Sequence, residues 1–368
     1  MVRWIVACVL AGHGLIHLMG FAKSCGYAEL PQLTLSVSRP VGLLWLCASF
    51  LVLGSAVGVA SAWRHTWMIG AVALTLSQVL IVLAWRDAWA GTIANGLLLT
   101  VVLLGWFIDG PRSFQSAFER DVVDGLRRPI EDVVVTEADL DPLPPPVRRY
   151  LRVTNTVGRP RVRNYRLHFT GRIRSAPDAA WMPFEATQQS FVDQPTRLFL
   201  MRARMSGVPV MVFHRLFGGH ATMQVKVLGA VSMANASGEE MDRSETVTLF
   251  NDMCVLAPAT LVEPGIAWQP VDERTARARF THGAHTIGAT LFFDDDGVLV
   301  NFISEDRSRA SPDGKAFTQL RFSTPLQNYR DFGPVRLAAH GEARWSLPEG
   351  EFTYGEFDLQ DIAYNVRR

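Results

Sequence analysis

Charged side chains are nearly missing from the first third of this chain. Only eight lie among residues 1–110, of 36 Lys and Arg and 35 Asp and Glu in 368 residues. Four apolar runs fill the space between them: Trp4 to Ala22, Val41 to Ala62, Thr66 to Trp85 and Ala88 to Ile108. Each is roughly 20 residues, which at about 1.5 Å per residue crosses a hydrocarbon core of about 30 Å. This shortage of charge excludes a wholly water-soluble chain. Cysteine is scarce as well. Cys8, Cys25 and Cys47 lie in or beside the runs and Cys254 stands alone, so no disulfide framework declares an oxidising compartment. Also lacking are a G-x-S-x-G elbow, an H-E-x-x-H pair, a Walker-type glycine loop and a G-x-G-x-x-G turn. Their absence weighs against an enzyme without closing that reading, assigns no catalytic residue, and calls for no cofactor.

The apolar runs predict a multi-pass bundle. Arg3 followed by an apolar run would also open a signal peptide, but three further runs follow and Lys23 to Tyr27 lacks a small-x-small cleavage pattern. The first run is therefore expected to stay as a helix. Seven of the ten tryptophans, Trp4, Trp45, Trp63, Trp67, Trp85, Trp89 and Trp106, fall in this third, mostly at run ends, where an amphipathic indole suits the headgroup level. Four spans place both ends of the unit on one side. Arg3, Arg64, Arg112 and Arg120 would share it, against Lys23, Arg39 and Arg86 on the other. That small bias leans toward cytoplasmic termini in a plasma (inner) membrane.

Five Lys or Arg and three Asp or Glu precede Gly110, leaving 31 basic and 32 acidic residues for the remainder, the composition of a water-soluble domain. Phe114, Phe118, Val122 and Leu126 recur four apart, predicting a helix within 111–131 that lies in the membrane interface or packs on the next domain. The Pro-rich Asp141 to Pro146 marks a boundary. From Arg163 the period becomes two. Segments 163–174, 196–204, 222–233, 275–282, 286–293, 316–323 and 335–346 alternate apolar or small residues with polar ones. Asp295-Asp296-Gly297, Pro312-Asp313-Gly314 and Pro348-Glu349-Gly350 supply turns between them. Residues 239–262 break the pattern, with Thr246, Phe250, Met253 and Cys254 at helical spacing. The expected fold is a membrane α-helical bundle of four transmembrane helices (1–110), an interfacial or linker helix (111–131) and an α+β domain (132–368). In that domain a curved antiparallel β-sheet or half-barrel wraps around inserted helices.

Particular stretches carry a resemblance. LPPPVRRYL at 143–151, Met205 to Pro209, Gly238-Glu239-Glu240, ETVTLFNDMCVLAPATL at 245–261, Ile266-Ala267-Trp268, Glu305-Asp306-Arg307 and the closing FDLQDIAYNV together resemble a bacterial family of membrane-anchored proteins of unknown function. The resemblance covers most of 132–368, and the early GHGLIHLMGF is similar to the first span of that family. It implies no catalytic residue. The order of strands and helices is also similar to the half-barrel of LolA- and LppX-type lipoprotein carriers, a likeness of fold alone.

Histidines are the first candidate site residues. His13 and His17 lie four apart on one helical face, and ionisable groups at membrane depth turn toward the bundle interior, where Ser77, Gln78 and Asn95 would meet them. Neutral imidazoles there would hold a quinone or lipid headgroup, a haem or a metal, or hydrogen-bond between helices. His282 with His285, and Asp294 to Gly297, are expected to be turns, since neither has the ligand spacing of a metal site. In the second domain Phe199, Met201, Met205, Met211 and Phe213 fall in neighbouring strands and would line an apolar cavity or fill an ordinary core. The run from Arg148 to Arg174 has nine arginines and no acid. Within it Arg159, Arg161 and Arg163 alternate, and on an extended segment they would hold anionic headgroups at on the order of 1 kcal/mol each, or pair with acids from elsewhere. The near-zero net charge of the domain and its tether argue against nucleic acid. Glu245, Asn251 and Asp252 sit on or near the inserted helix, without a nucleophile and base at matching spacing. Asp306 beside Arg307 is expected to be a structural ion pair or helix anchor.

Three functional readings stand. The first is a bilayer-anchored protein whose β-rich domain binds a lipid, isoprenoid or quinone. The second is a redox bundle built on His13 and His17, loosely similar to DoxX-type four-span proteins. The third is a docking module for another membrane protein.

Overall fold

The computed structural model describes residues 1–131 and 133–367, so the two ends of the expected 132–368 domain, residues 132 and 368, lie outside the described residues. The chain forms two compact units, Met1–Ser116 and Ala117–Arg368.

The first unit contains α1 (Val2–Cys25), α2 (Arg39–Ala60), α3 (Thr66–Leu83), the single turn α4 (Trp85–Ala88) and α5 (Gly91–Asp109). Among the described residues, four helices are long and apolar enough to cross a membrane. They are apolar around their whole circumference, with Ile16, Phe50 and Ile93 facing outward, as helices surrounded by lipid are. The interior is made instead of close approach at small residues. Gly20 sits so near the Trp45 ring that a Cβ built there would stand 2.6 Å from Cγ of the indole.

The second unit is built on a thirteen-stranded antiparallel sheet. Its first half is a meander of β1 (Asn164–Ile173), β2 (Met182–Phe191), β3 (Thr196–Met205), β4 (Val208–Phe217), β5 (His220–Val227) and β6 (Val231–Ser237). The second half holds β7 (Ile266–Asp272), β8 (Thr275–His282), β9 (His285–Phe293), β10 (Leu299–Ser304), β13 (Phe322–Phe332), β14 (Val335–Leu347) and β15 (Gly350–Tyr364). A separate hairpin of β11 (Ser308–Ala310) and β12 (Phe317–Gln319) lies outside it. The last strand, β15, pairs with β1, so β6 and β7 form the two opposite edges. That order dictates the helix. The chain must travel from one edge to the other, and α8 (Glu239–Leu256) with the 3-10 turn Pro258–Val262 makes the crossing over one face of the curved sheet. Register shifts at His168/Phe169, Val225/Lys226 and Ala343/Arg344 supply bends of the kind that let a sheet curl around a helix.

Two tyrosines secure the end of α8. The buried Tyr150 hydroxyl, from α7 (Pro145–Val153), donates to the Cys254 carbonyl at 2.8 Å, and Tyr364 donates to the Leu256 carbonyl. They satisfy carbonyls that a helix C-terminus otherwise leaves unpaired. Phe250 anchors the middle of the helix, stacked on Phe280 at 5.0 Å and edge-on to Phe302 at 5.9 Å.

The helix expected within 111–131 is α6 (Phe114–Leu126), and from Ala117 onward it belongs to the second unit. It packs on the sheet face opposite α8: Phe118 meets the Phe213 ring at 6.3 Å, Asp121 pairs with Arg215 at 2.6 Å, and Gly125 lies against Phe191. Strands β3 and β4 are therefore covered on both faces.

Candidate functional site

Helix α8 fills the space over β8–β10 with Phe250 but not the space over β3–β5. There a cavity of about 760 Å³ remains. Its floor follows strand parity. Phe199, Met201 and Ala203 of β3 pair with His214, Val212 and Val210 of β4, and all six face the cavity. The roof is the detached hairpin. Ser308 N–H donates to Ser244 Oγ on α8 at 2.9 Å, and Gly314 rests on the β6 backbone, where a Cβ would stand 2.9 Å from the Ala236 nitrogen.

One end of this cavity is charged. Arg197, on the same face of β3 as Phe199, donates from Nε to Asp252 Oδ2 at 2.6 Å and from one amino group to Glu245 Oε2 at 3.4 Å, both on α8. Gln188 donates to the same Asp252 oxygen at 2.7 Å. His214 Nδ1 lies 2.9 Å from Glu245 Oε1. An ionised carboxylate only accepts, so this nitrogen carries the proton. Burial alone would raise the Glu245 carboxyl, but the Arg197 guanidinium and the His214 hydrogen bond outweigh it and hold the group down at about 2. Burial pushes the Cys254 thiol up, which keeps it protonated and inert.

The β-domain residues expected to line a cavity divide. Phe199 and Met201 are on its wall. Met211 and Phe213 are not: they have the other parity of β4 and face α6 or its side of the sheet. Met205 is also off the wall, at the end of β3 beside the Ser206-Gly207 turn, and is exposed. Both turn residues have positive φ, at 50° and 86°, as a two-residue type I′ hairpin requires.

In the arginine stripe, two of the three take the alternative of pairing with acids from elsewhere. Arg161 pairs with Asp139 at 2.6 Å and Glu263 at 3.6 Å, and Arg163 with Asp193 at 3.0 Å and Glu263 at 3.5 Å. Acids brought from elsewhere in the fold neutralise both, so neither offers spare charge to a headgroup. Arg159 is exposed. Asp306 and Arg307 do not pair with each other: Asp306 binds Arg243 at 2.5 Å and the Gly288 amide at 2.7 Å. His282 and His285 flank a two-residue turn, and no cluster of three or more His, Cys, Asp or Glu among the described residues is placed to hold a metal ion.

In the bundle, the five residues His13, His17, Ser77, Gln78 and Asn95 come together. His13 Nε2 lies 3.0 Å from Asn95 Oδ1, His17 Nε2 lies 2.9 Å from Ser77 Oγ, and Ser77 donates to Asn95 Oδ1 at 3.0 Å. Asn95 donates in turn to Gln78 Oε1 at 3.0 Å. The imidazoles are 4.5 Å apart, with Trp45 edge-on to His17. This network ties α1, α3 and α5 through Asn95, and His17 Nδ1 is buried without a partner. Asn95→Leu is expected to lower the thermal stability of the bundle by about 1–3 kcal/mol, because three partners lose their hydrogen bond at once. Tryptophan-monitored melting in detergent measures it, and an unchanged midpoint counts against the network.

Taken together, these units define a class: an apolar helical bundle joined to a curved antiparallel β domain that encloses a cavity. Within that class the chain belongs to the family of unknown function DUF6544, which matches residues 133–357. No curated protein matches the chain. Among solved structures, it is similar to a domain from Vibrio parahaemolyticus provisionally described as an outer membrane lipoprotein-sorting protein, at 8% identity and a TM-score of 0.33 over 55% of this chain and 86% of that one. It is also similar to a DUF1329 family protein from Desulfovibrio piger, at 13% identity and a TM-score of 0.35 over 64% of this chain and 95% of that one. The sheet order itself, not these distant likenesses, defines the fold.

Arg197 had a sequence signal that parity reasoning misses when it looks only for apolar residues. It is a charge on the face shared by Phe199 and Met201, and a buried charge needs partners. Glu245 and Asp252 are those partners.

Proposed function

We propose that the β domain holds an apolar ligand, a lipid, isoprenoid or quinone, beside the membrane to which the bundle anchors it. The cavity carries this reading. At about 760 Å³ it falls within the range of about 300–1,000 Å³ usual for small-molecule sites. Its walls are Phe, Met, Val and Ala from the sheet, closed by Leu and Val from α8. A domain with only a scaffolding role gains nothing by leaving such a volume, since interiors otherwise pack to crystal density and each unfilled region costs stability. Methionines at Met182, Met201, Met223 and Met241 give the wall an adaptable surface suited to a flexible chain.

Mass spectrometry of organic extracts from the full-length protein in mild detergent tests the reading. A specific apolar compound is expected near one equivalent in the wild type and below about a fifth of that in Ala234→Phe, whose ring would enter the cavity from edge strand β6. Equal retention by both proteins would place the compound elsewhere and sink the proposal.

A further inference from the structure

Among the described residues, three arginines along one side of the cavity have no carboxylate within 4 Å, and Arg307 acts on Glu245 from a longer distance. Arg174 follows β1, and Arg307 and Arg309 alternate into the first strand of the roof hairpin. They converge on one row of aromatic side chains. Arg307 lies over Phe322 at 4.1 Å and Trp345 at 5.1 Å, and both Arg174 and Arg309 lie over Phe352, at 5.3 and 5.4 Å. Trp345 and Phe352 are register partners on β14 and β15, so the row is continuous.

Their hydrogen bonds go only to neutral acceptors. Arg174 donates to the Thr353 and Pro177 carbonyls, Arg309 to the Ser175 carbonyl, and Arg307 to the Tyr354 hydroxyl. Arg307 Nε is buried without a partner. The carboxylates that share the cavity are engaged elsewhere: Glu245 and Asp252 with Arg197, and Glu342 with Arg344 at 2.9 Å and Thr353 at 3.0 Å. A guanidinium has five donors, so most of those on the three arginines remain for a ligand. A guanidinium held over a ring keeps N–H groups free to present a fork, the geometry that matches a carboxylate or phosphate.

We infer that the cavity selects an anionic amphiphile, with an acyl or prenyl tail among Phe199, Met201 and Val212 and a carboxylate or phosphate head at Arg174, Arg307 and Arg309. This rests on the apolar-ligand reading above and adds the charge class of the ligand to it. A neutral isoprenoid or quinone would leave three half-buried cations at that end without an anionic partner.

Native mass spectrometry of the full-length protein in a neutral maltoside detergent, with stearic acid, octadecyl phosphate, stearyl alcohol and inorganic phosphate as probes, decides it. Both anionic octadecyl probes are expected to bind at least about tenfold more tightly than the alcohol, as a charge-assisted fork requires. The triple variant Arg174→Gln, Arg307→Gln, Arg309→Gln is expected to bring the preference of the anionic probes over the alcohol within about twofold. Arg309→Gln alone, a milder change in the roof hairpin, should lose about threefold of the preference and supplies the answer if the triple variant does not fold. Equal binding of acid and alcohol, blocked by Ala234→Phe, overturns the charge selection and leaves the apolar reading standing. An anion preference that survives the arginine variants also overturns it. So does displacement of octadecyl phosphate by an equal concentration of inorganic phosphate, which would mark a site for the free anion. Failure of every octadecyl probe to bind overturns both readings.

Discussion

Arg197→Leu is expected to destabilise the β domain by about 3–5 kcal/mol, the usual cost of removing one partner from a buried ion pair. For a unit of this size that corresponds to a fall in melting temperature on the order of 10 °C. The reason is the carboxylates left behind. Glu245 is 1% exposed and Asp252 9%, and the Arg197 guanidinium lies within 4 Å of both. Without it two negative charges would be left unpaired, about two turns apart on α8, in a poorly solvated space. A triple variant, Arg197→Met with Glu245→Leu and Asp252→Leu, separates loss of charge pairing from loss of packing. Removing all three charges is expected to recover more than half of the loss, the remainder being the Gln188 amide, which loses its Asp252 and Arg197 contacts, and the His214 ring, which loses Glu245. Calorimetry of the full-length proteins measures both changes. A melting temperature for Arg197→Leu equal to that of the wild type would show that water reaches this end of the cavity.

Much of the architecture was legible in the chain because most elements face two different environments. The apolar runs announce α1, α2, α3 and α5, and alternation announces β1, β8, β9 and β14, each with one face toward the core, and β3 through Arg202 and Arg204 at its exposed end. Strand β4 was obscured because VPVMVFHRLF is covered on both faces, by the cavity and by α6, so its alternation is filled in. Strands β5 and β6 were joined in the expected 222–233 because the turn between them includes Leu228, an apolar residue held at positive φ by its position rather than by its type.

The cavity wall was half legible for a related reason. Choosing Met211 and Phe213 treated odd numbers on both strands as one face. The two-residue Ser206-Gly207 turn pairs Met205 with Val208, and paired residues share a face, so the odd positions of β3 lie with the even positions of β4. That step was available from the turn alone. What the chain could not show is the long-range convergence of Arg174, Arg307 and Arg309 on Phe352 and Trp345, which depends on how far the roof hairpin reaches. The bundle network was simpler to foresee, since polar side chains in apolar helices have few partners other than one another.

The second large effect is on the acid side of the stability curve. Glu245 is held at about 2, against an ordinary 4.5. A depressed carboxyl stabilises the folded state fully above its unfolded value and loses that contribution as pH falls through its folded value, so the window runs from about pH 4.5 to about pH 2. The shift corresponds to a contribution of order 3 kcal/mol. Arg197 and His214 face the carboxylate directly, with Arg307 acting at longer range; Asp252, on the same helix, shares Arg197. Glu245→Gln is expected to be less stable than the wild type at pH 7, yet to lose less on acidification, so that the two curves draw together toward pH 2. Urea midpoints of the full-length proteins at intervals from pH 6 to pH 2.5 measure the slope. Parallel curves with a constant offset would mean that Glu245 takes up its proton at the same pH folded and unfolded, and that the fixed, ionised end of the cavity does not exist.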